Sequence, residues 1–342
     1  MTMAGPTPLR AAPSAGLCWR DDLSSAQWDR MLAALDGHPL QSAAWSDARR
    51  EVDGIEDLRL AAFAGDEPVL LARVELRPVL GWWRVGWVPR GPAAADHPAL
   101  FDAARELADR CRDAGCSLLV VDPYRPHAAR IGELGRPVGP RPRTIYLDLT
   151  LGREELLARL DRQWRYNMNL ARRKGVLVEQ TQAEEDIRTF FELCRRAGGT
   201  KKFEFRESFE LMRRLVVTSR DGPVCWRLFV ARCSNRNAGG GLAAVSGRTM
   251  HQLWSGLDRD FRRERPTEAL RWGEIEWALA ERLQGYDLEG IDPHRNPGTY
   301  EFKRRMGGSE VMLPGKFAIP LTAAGSAGAW ALRHTFRVWY EA

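Results

Sequence analysis

The residues best suited to chemistry in this 342-residue chain gather near its end. In "YEFKRRMGG", residues 300–308, Tyr300 and Phe302 alternate with charged side chains and the run closes on Gly307 and Gly308. That alternation reads as a strand or its exit into a loop. Lys303 stands directly beside Phe302, and two readings are open: a solvated charged edge, or a cation aimed at a substrate. A second concentration of charge lies in "REELLARLDRQWRYNMNLARRKG" (153–175), where seven cations stand against three anions and the excess collects beyond Asp161. There Arg162, Arg165, Arg172, Arg173 and Lys174 are interleaved with Trp164, Tyr166 and Asn167, a mixture suited to phosphate contacts and stacking. A solvated helix face gives the same pattern. Familiar catalytic motifs are missing: there is no Gly-x-Ser-x-Gly, His-Glu-x-x-His, P-loop or dinucleotide fingerprint. The six histidines, at 38, 97, 127, 251, 294 and 334, are scattered and mostly sit beside prolines or turn residues. A mechanism without a His or Cys nucleophile is therefore expected.

The whole chain bounds what these residues can be part of. Hydrophobic residues make up 44% and charged residues 28%, the balance of a globular protein able to bury a sizeable core. The net charge of +6 makes acidic partners plausible, whether nucleic acid, phosphorylated substrates or an anionic membrane face. Cysteines at 18, 111, 116, 194, 225 and 233 form no Cys-x-x-Cys pair and have no histidine at finger spacing, so no metal is expected. The N-terminal segment has no continuous apolar core, and the longest charge-free stretch, 317–332, contains a proline and two glycines. A cytoplasmic protein is expected.

The elements that must position the candidate residues follow from periodicity. Helices are expected over 24–35, 42–52, 98–115, 153–175, 183–199 and 266–285. Strands are expected over 58–65, 67–79, 82–89, 117–123, 144–150, 176–180 and 286–292, with a three-strand meander over 224–233, 240–247 and 249–258. Both halves thus read helices, meander, helix, strand. The fold class is α/β, and two copies of one α/β unit account for it economically.

"YDLEGIDPHRNPGTYEFKRRMGG" (286–308) resembles the Fem-type (FemABX) aminoacyltransferases, with a Tyr-Asp strand, a loop containing Gly, then an aromatic-x-Phe-Lys element. "QSAAWSDARRE" (41–51), "WVPRGP" (87–92), "LLVVDP" (118–123), "RTIYLDLT" (143–150), "GGGLAAVSG" (239–247) and "HQLWSGLD" (251–258) resemble further family segments in the same order. The resemblance spans about residues 40 to 320. It implies two GNAT-like domains, with residues 1–145 and 320–342 in the first and 146–319 in the second. It also implies a compact form, without the family's helical arm, that works as a monomer. The implied activity moves an amino acid from aminoacyl-tRNA to an amine, usually on the stem peptide of a peptidoglycan precursor. No cofactor is implied, and a lipid-linked substrate would bring peripheral membrane contact.

Residue by residue, Lys303 falls on the family's Phe-Lys motif, which implies a cation stabilising the developing charge of the tetrahedral intermediate, with Phe302 as the wall beside it. Asp122 matches a position considered for a general base, and an Asp-Pro turn after a strand is its structural alternative. Arg49 and Arg206 fall where the family carries cations for the precursor's diphosphate. Trp254 takes an aromatic position in the same pocket, and Tyr300 joins these substrate-binding residues. The chain departs from the family pattern just after Arg206, with Phe209 and Glu210 where tyrosines are expected. Two other functions compete. A tRNA-dependent amide synthase acting on a small metabolite would share nearly all of these features. An acyl-CoA N-acyltransferase would need a glycine-rich pyrophosphate turn between strand and helix, and the near matches "RRAGGT" and "RRMGGS" lack that context.

Overall fold

The computed structural model of the chain describes residues 16–79, 83–201, 205–219 and 221–335. Its first sheet begins with β1 (Leu17–Arg20), which reaches β2 (Asp57–Ala64) across two helices, α1 (Ser25–Ala34) and α2 (Ala43–Asp53). Ser24 and Gln27 cap α1 reciprocally, and the Ser42 side chain accepts from Trp45 N to start α2, so both helices begin on the serines their sequence offers. β3 (Glu67–Val79), β4 (Trp83–Val88), the short β5 (Ala93–Ala94), α3 (Leu100–Asp113), β6 (Leu118–Val121) and β7 (Arg136–Val138) follow.

The second sheet starts at β8 (Arg143–Asp148). It continues through α4 (Gly152–Arg159), α5 (Arg162–Arg173), β9 (Leu177–Thr181), α6 (Glu184–Lys201) and α7 (Phe209–Thr218) to the meander β10 (Val224–Cys233), β11 (Arg236–Ser246) and β12 (Thr249–Leu257). α8 (Pro266–Ala280), β13 (Gly285–Ile291), α9 (Pro297–Arg304) and β14 (Ser309–Met312) complete it. β15 (Lys316–Pro320) and α10 (Ala323–Thr335) then return to the first sheet. The strand orders are β1-β2-β3-β4-β6-β15-β7, with β5 against β3, and β14-β8-β13-β12-β11-β10-β9. Each sheet has one parallel pair among the described residues, β4–β6 and β12–β13, each joined through a helix, so the two halves repeat one plan. The expected α/β class with paired, mixed sheets is the fold observed.

Two expectations fail at places that matter. The helix read over 153–175 is broken: Leu160 turns to extended backbone and Asp161 caps a new helix, its carboxylate accepting from Gln163 N (2.9 Å) and Trp164 N (3.3 Å). Residues 300–304, read as a strand or its exit, belong to helix α9. Pro297 sits in the first turn and Asn296 Oδ1 accepts from Thr299 N, a start signal that outweighs the aromatic alternation behind it. The glycine pair does end the element: Gly307 takes φ +79°. A Cβ on Gly308 would lie 2.7 Å from Tyr146 O. Helices α7 and α10 and strands β1, β7 and β15 lie where no element is expected, whereas β14 overlaps the strand-like "EVML" after the glycine pair.

The cores lie on the sheet faces. One cluster packs α3 on the first sheet through Leu100, Leu107, Leu70 and Leu119. Another packs α5 and α8 on the second through Trp164, Phe229, Ile275 and Tyr286. A third fills the opposite face of the second sheet with α6, α7 and, from the first half of the chain, Trp45 and Ala48 of α2. α6 approaches closely because residue 256 is glycine, where a Cβ would meet Leu193 Cβ at 2.6 Å. No described helix is long and apolar enough to cross a membrane.

The Asp161 cap holds the break that sets α5 on its own course. Replacing it, Asp161→Ala, should cost about 1 kcal/mol and lower Tm by roughly 2–4 °C; an unchanged thermal transition would show that the cap does not stabilise α5.

Candidate active site

β12 and β13 pair in parallel at Thr249–Gly285, Met250–Tyr286 and His251–Asp287, and then diverge. The ladder between β13 and β8 is irregular between Asp287 and Gly290, and Glu289 there has φ +58°. Past Asp287, β13 therefore has no partner on its β12 side, and Lys303 supplies one from α9. Its Nζ donates to Glu289 O (3.1 Å) and Gly290 O (2.9 Å), two charge-assisted bonds that fix the ammonium at the edge of the split. Phe302 anchors the same helix, its ring 5.9 Å from Trp164 in the core. The split opens a cavity of about 820 Å³ lined by Gly256, Leu257, Leu288, Gly290, Phe302 and Lys303 among others.

A second cavity, of about 1040 Å³, lies toward the first sheet and is lined by Arg49, Arg90, Asp122, Arg206 and Lys316 among others. Arg49 extends from α2 over the ring of Trp45 at 5.6 Å and bonds Asp53 at 2.5 Å. Trp45 stacks on Trp226 (5.6 Å) and Trp254 (6.0 Å), so Trp254 backs the cavity through Trp45. Asp122 directly follows β6, is 4% exposed, and its Oδ1 has no hydrogen-bond partner among the described residues. The sequence candidates therefore divide between two spaces: Lys303 and Phe302 in the first, Asp122, Arg49 and Arg206 in the second.

The spaces share a wall that sequence reasoning missed. Glu289 lines the first cavity and Arg90 the second, and Arg90 Nη2 donates to Glu289 Oε2 at 3.1 Å. The other carboxylate oxygen of Glu289 meets His38 Nε2 (2.9 Å) and His251 Nδ1 (3.0 Å). Beneath them Asp287 accepts from Tyr124 OH at 2.6 Å, from Glu289 N at 2.7 Å and from the Thr144 hydroxyl. His38, Arg90 and Tyr124 come from the first sheet's half; His251, Asp287 and Glu289 come from the second.

Burial by itself would raise the Glu289 carboxyl, but His38, Arg90 and His251 outweigh it and hold the group well below its usual range. Asp287 is raised by burial and by the neighbouring Glu289 charge. Burial drives His38 down to about 3, against the pull of Glu289, so its imidazole is neutral.

The three ligand-type atoms of His38, His251 and Glu289 lie within 4.8 Å of one another. His38 Nδ1 accepts from Leu40 N (3.2 Å), which leaves the proton on Nε2 to be donated to Glu289. The cluster therefore reads as a hydrogen-bonded support and not as a ligand set.

Other candidates fall elsewhere. Tyr300 turns to β14, its hydroxyl donating to Glu310 Oε1 at 2.6 Å, and it lines neither cavity. In α5, Trp164 is buried in the core and Asn167 donates to Glu268 Oε1 at 2.9 Å, so of the three interleaved residues only Tyr166 is exposed to stack on anything. Arg162, Arg165, Arg172, Arg173 and Lys174 are exposed. Arg165 donates back to Leu160 O at 3.1 Å, and Lys174 Nζ donates to Arg263 O at 2.9 Å. This second bond joins the basic end of α5 to the segment after β12, where Arg259 lines the first cavity.

A domain family described as "Acetyltransferase (GNAT) domain" matches residues 158–304. That span includes the strand split and Lys303, and it supports an acyl-transfer activity in general. No curated protein sequence gives a significant match. Among solved structures, the chain is similar to FemX, with TM-score 0.74 and 16% identity over 87% of this chain and 96% of that one. It is also similar to the C-terminal domain of a putative lysylphosphatidylglycerol synthetase from Agrobacterium fabrum, with TM-score 0.57 and 13% identity over 89% and 94% of the two chains. The L-PGS structure from Bacillus licheniformis gives TM-score 0.54 and 12% identity over 77% and 85%. At such identities these likenesses show a shared fold.

The neutral His38 makes a pH prediction. Its native pKa lies near 3 while the unfolded imidazole titrates near 6.5, so the unfolded state alone takes up a proton as pH falls below 6.5. The stability His38 contributes is complete above that pH and is lost as pH falls toward 3. The unfolding free-energy gap between wild type and His38→Gln should therefore be about 2 kcal/mol larger at pH 8 than at pH 5. Urea titrations at the two pH values check this, and an equal gap would refute it.

Proposed function

We propose that the chain is a Fem-type aminoacyltransferase: it joins the carboxyl of an amino acid carried by aminoacyl-tRNA to an amine, with the stem peptide of a peptidoglycan precursor as the acceptor. One observation carries the reading. Two cavities share a single wall, one holding a fixed cation at a strand split and the other lined by arginines around a buried carboxylate. The first suits the activated ester and the second an amine on an anionic carrier. The basic end of α5, tied by Lys174 to the segment whose Arg259 lines the first cavity, supports a polyanionic donor. The likeness to FemX over most of both chains supports the Fem-type reading through the shared fold.

The chemistry asks little of the protein in covalent terms. An aminoacyl ester is already activated, so amide formation runs downhill once ester and amine are aligned. As the amine adds, negative charge develops on the former carbonyl oxygen, and a preorganised ammonium lowers that barrier without reorganising at the moment of reaction. Lys303 is preorganised by its two backbone carbonyls. Phe302 holds the ester end against the split. Arg49 and Arg206 offer bidentate contacts to phosphate on the acceptor's carrier.

The GNAT match favours one second reading, an acyl-CoA donor entering the same split. Against it, "RRAGGT" lies inside α6, where its backbone N–H groups serve the helix, and "RRMGGS" runs into β14. Neither offers a pyrophosphate cradle.

Purified protein given charged tRNA and an amine acceptor should form product that RNase pretreatment abolishes and that acyl-CoA cannot replace. Lys303→Ala should lower kcat by about 10²–10³ with an unchanged thermal transition. Product that survives RNase, or wild-type turnover in Lys303→Ala, would overturn the reading.

A further inference from the structure

β15 runs antiparallel to β6 with Phe317 opposite Val121, so the next step of the ladder brings Lys316 opposite Asp122. On its other side Lys316 faces Val138 of β7. Lysine is rarely this enclosed: Lys316 is 6% exposed and Asp122 4%, yet both line the 1040 Å³ cavity. The Lys316 ammonium lies 5.3 Å from the centre of the Trp87 ring. Arg77 lies over the same indole at 5.8 Å, with its charge committed to Glu75 at 2.6 Å. Among the described residues, Asp122 just after β6 and Arg90 from the turn after β4 are charged groups that act on Lys316. Asp122 Oδ1 is enclosed and has no hydrogen-bond partner among the described residues, so the buried amine that lines the cavity here is that of Lys316.

We propose that Lys316 is the base that deprotonates the acceptor in this cavity; this rests on the aminoacyl-transfer reading above. The site takes a primary alkylammonium. Burial pushes Lys316 down to about 7, with Arg90 adding to the shift and Asp122 opposing it. A substantial fraction of the side chain is then uncharged near neutral pH, the condition in which a base works best.

The step balances. The acceptor enters as an ammonium and loses one proton to Lys316 Nζ, and its freed lone pair bonds to the ester carbon. The bond from that carbon to the ribose oxygen breaks, and the second proton on nitrogen goes to that departing oxygen. Lys316 then returns its proton to solvent.

The sign follows directly. Protonated Lys316 cannot accept, so transfer falls as pH drops through about 7. Reductive methylation with ¹³C-formaldehyde gives each lysine an NMR signal, and Lys316→Arg identifies the one that disappears. We expect that signal to titrate near 7, and the pH–rate profile of transfer to show an acidic limb at the same pH.

Lys316→Met and Lys316→Arg should both lose about 10²-fold in kcat and lose the limb, with acceptor KM little changed. Arginine keeps the charge but cannot give up its proton, so a purely electrostatic role would leave Lys316→Arg active. A Lys316 signal titrating near 10, or an active Lys316→Arg with an unaltered profile, overturns the proposal while leaving the tRNA reading standing. A signal near 7 in a protein that transfers nothing from charged tRNA overturns the proposal together with that reading.

Discussion

The structure depends on a carboxylate buried where two sheets meet. Glu289 is held by Arg90 and His38 from one half of the chain and by His251 from the other. Charge taken out of water is costly unless its partners are fixed, and these partners leave it no other arrangement. Its backbone carries the same constraint outward: the left-handed turn at Glu289 directs the carbonyls that hold Lys303. One residue thus fixes the wall of both cavities and the position of the cation in the first.

The strand split follows from the same geometry. Parallel pairing between β12 and β13 lasts three residues, and the irregularity in β13 then prevents it from resuming. A sheet that stayed closed would bury this edge in hydrogen bonds and leave no room for a ligand. The GNAT match covers this region, and the likeness to FemX extends the plan to both sheets.

Much of this was legible in the sequence, for reasons that can be named. Serines before α1 and α2 marked their starts, and the glycine-punctuated meander gave β10 to β12 directly. Lys303 and Phe302 were found together because they are adjacent in sequence. What failed was non-local or lay just outside the window read. The alternation of Tyr300 and Phe302 suggested a strand, while the Asn296–Pro297 start signal stood a few residues upstream. The periodicity of 153–175 continues through Asp161 and hides the break that Asp161 itself makes. His38, His251 and Glu289 carry no local signal, because only the folded topology brings them together. Lys316 did leave one: a lone cation abutting the apolar run Phe317–Pro320, passed over because it bounds the charge-free stretch from outside.

Trp45 belongs by sequence to the first half and by packing to the second, stacked on Trp226 and Trp254 beneath α6 and α7. Two copies of one plan have therefore ceased to be interchangeable parts. Either half made alone would present to water an aromatic surface that the other half normally covers. A doubled plan that exchanges side chains in this way is committed: neither half of this chain closes its own core without the other.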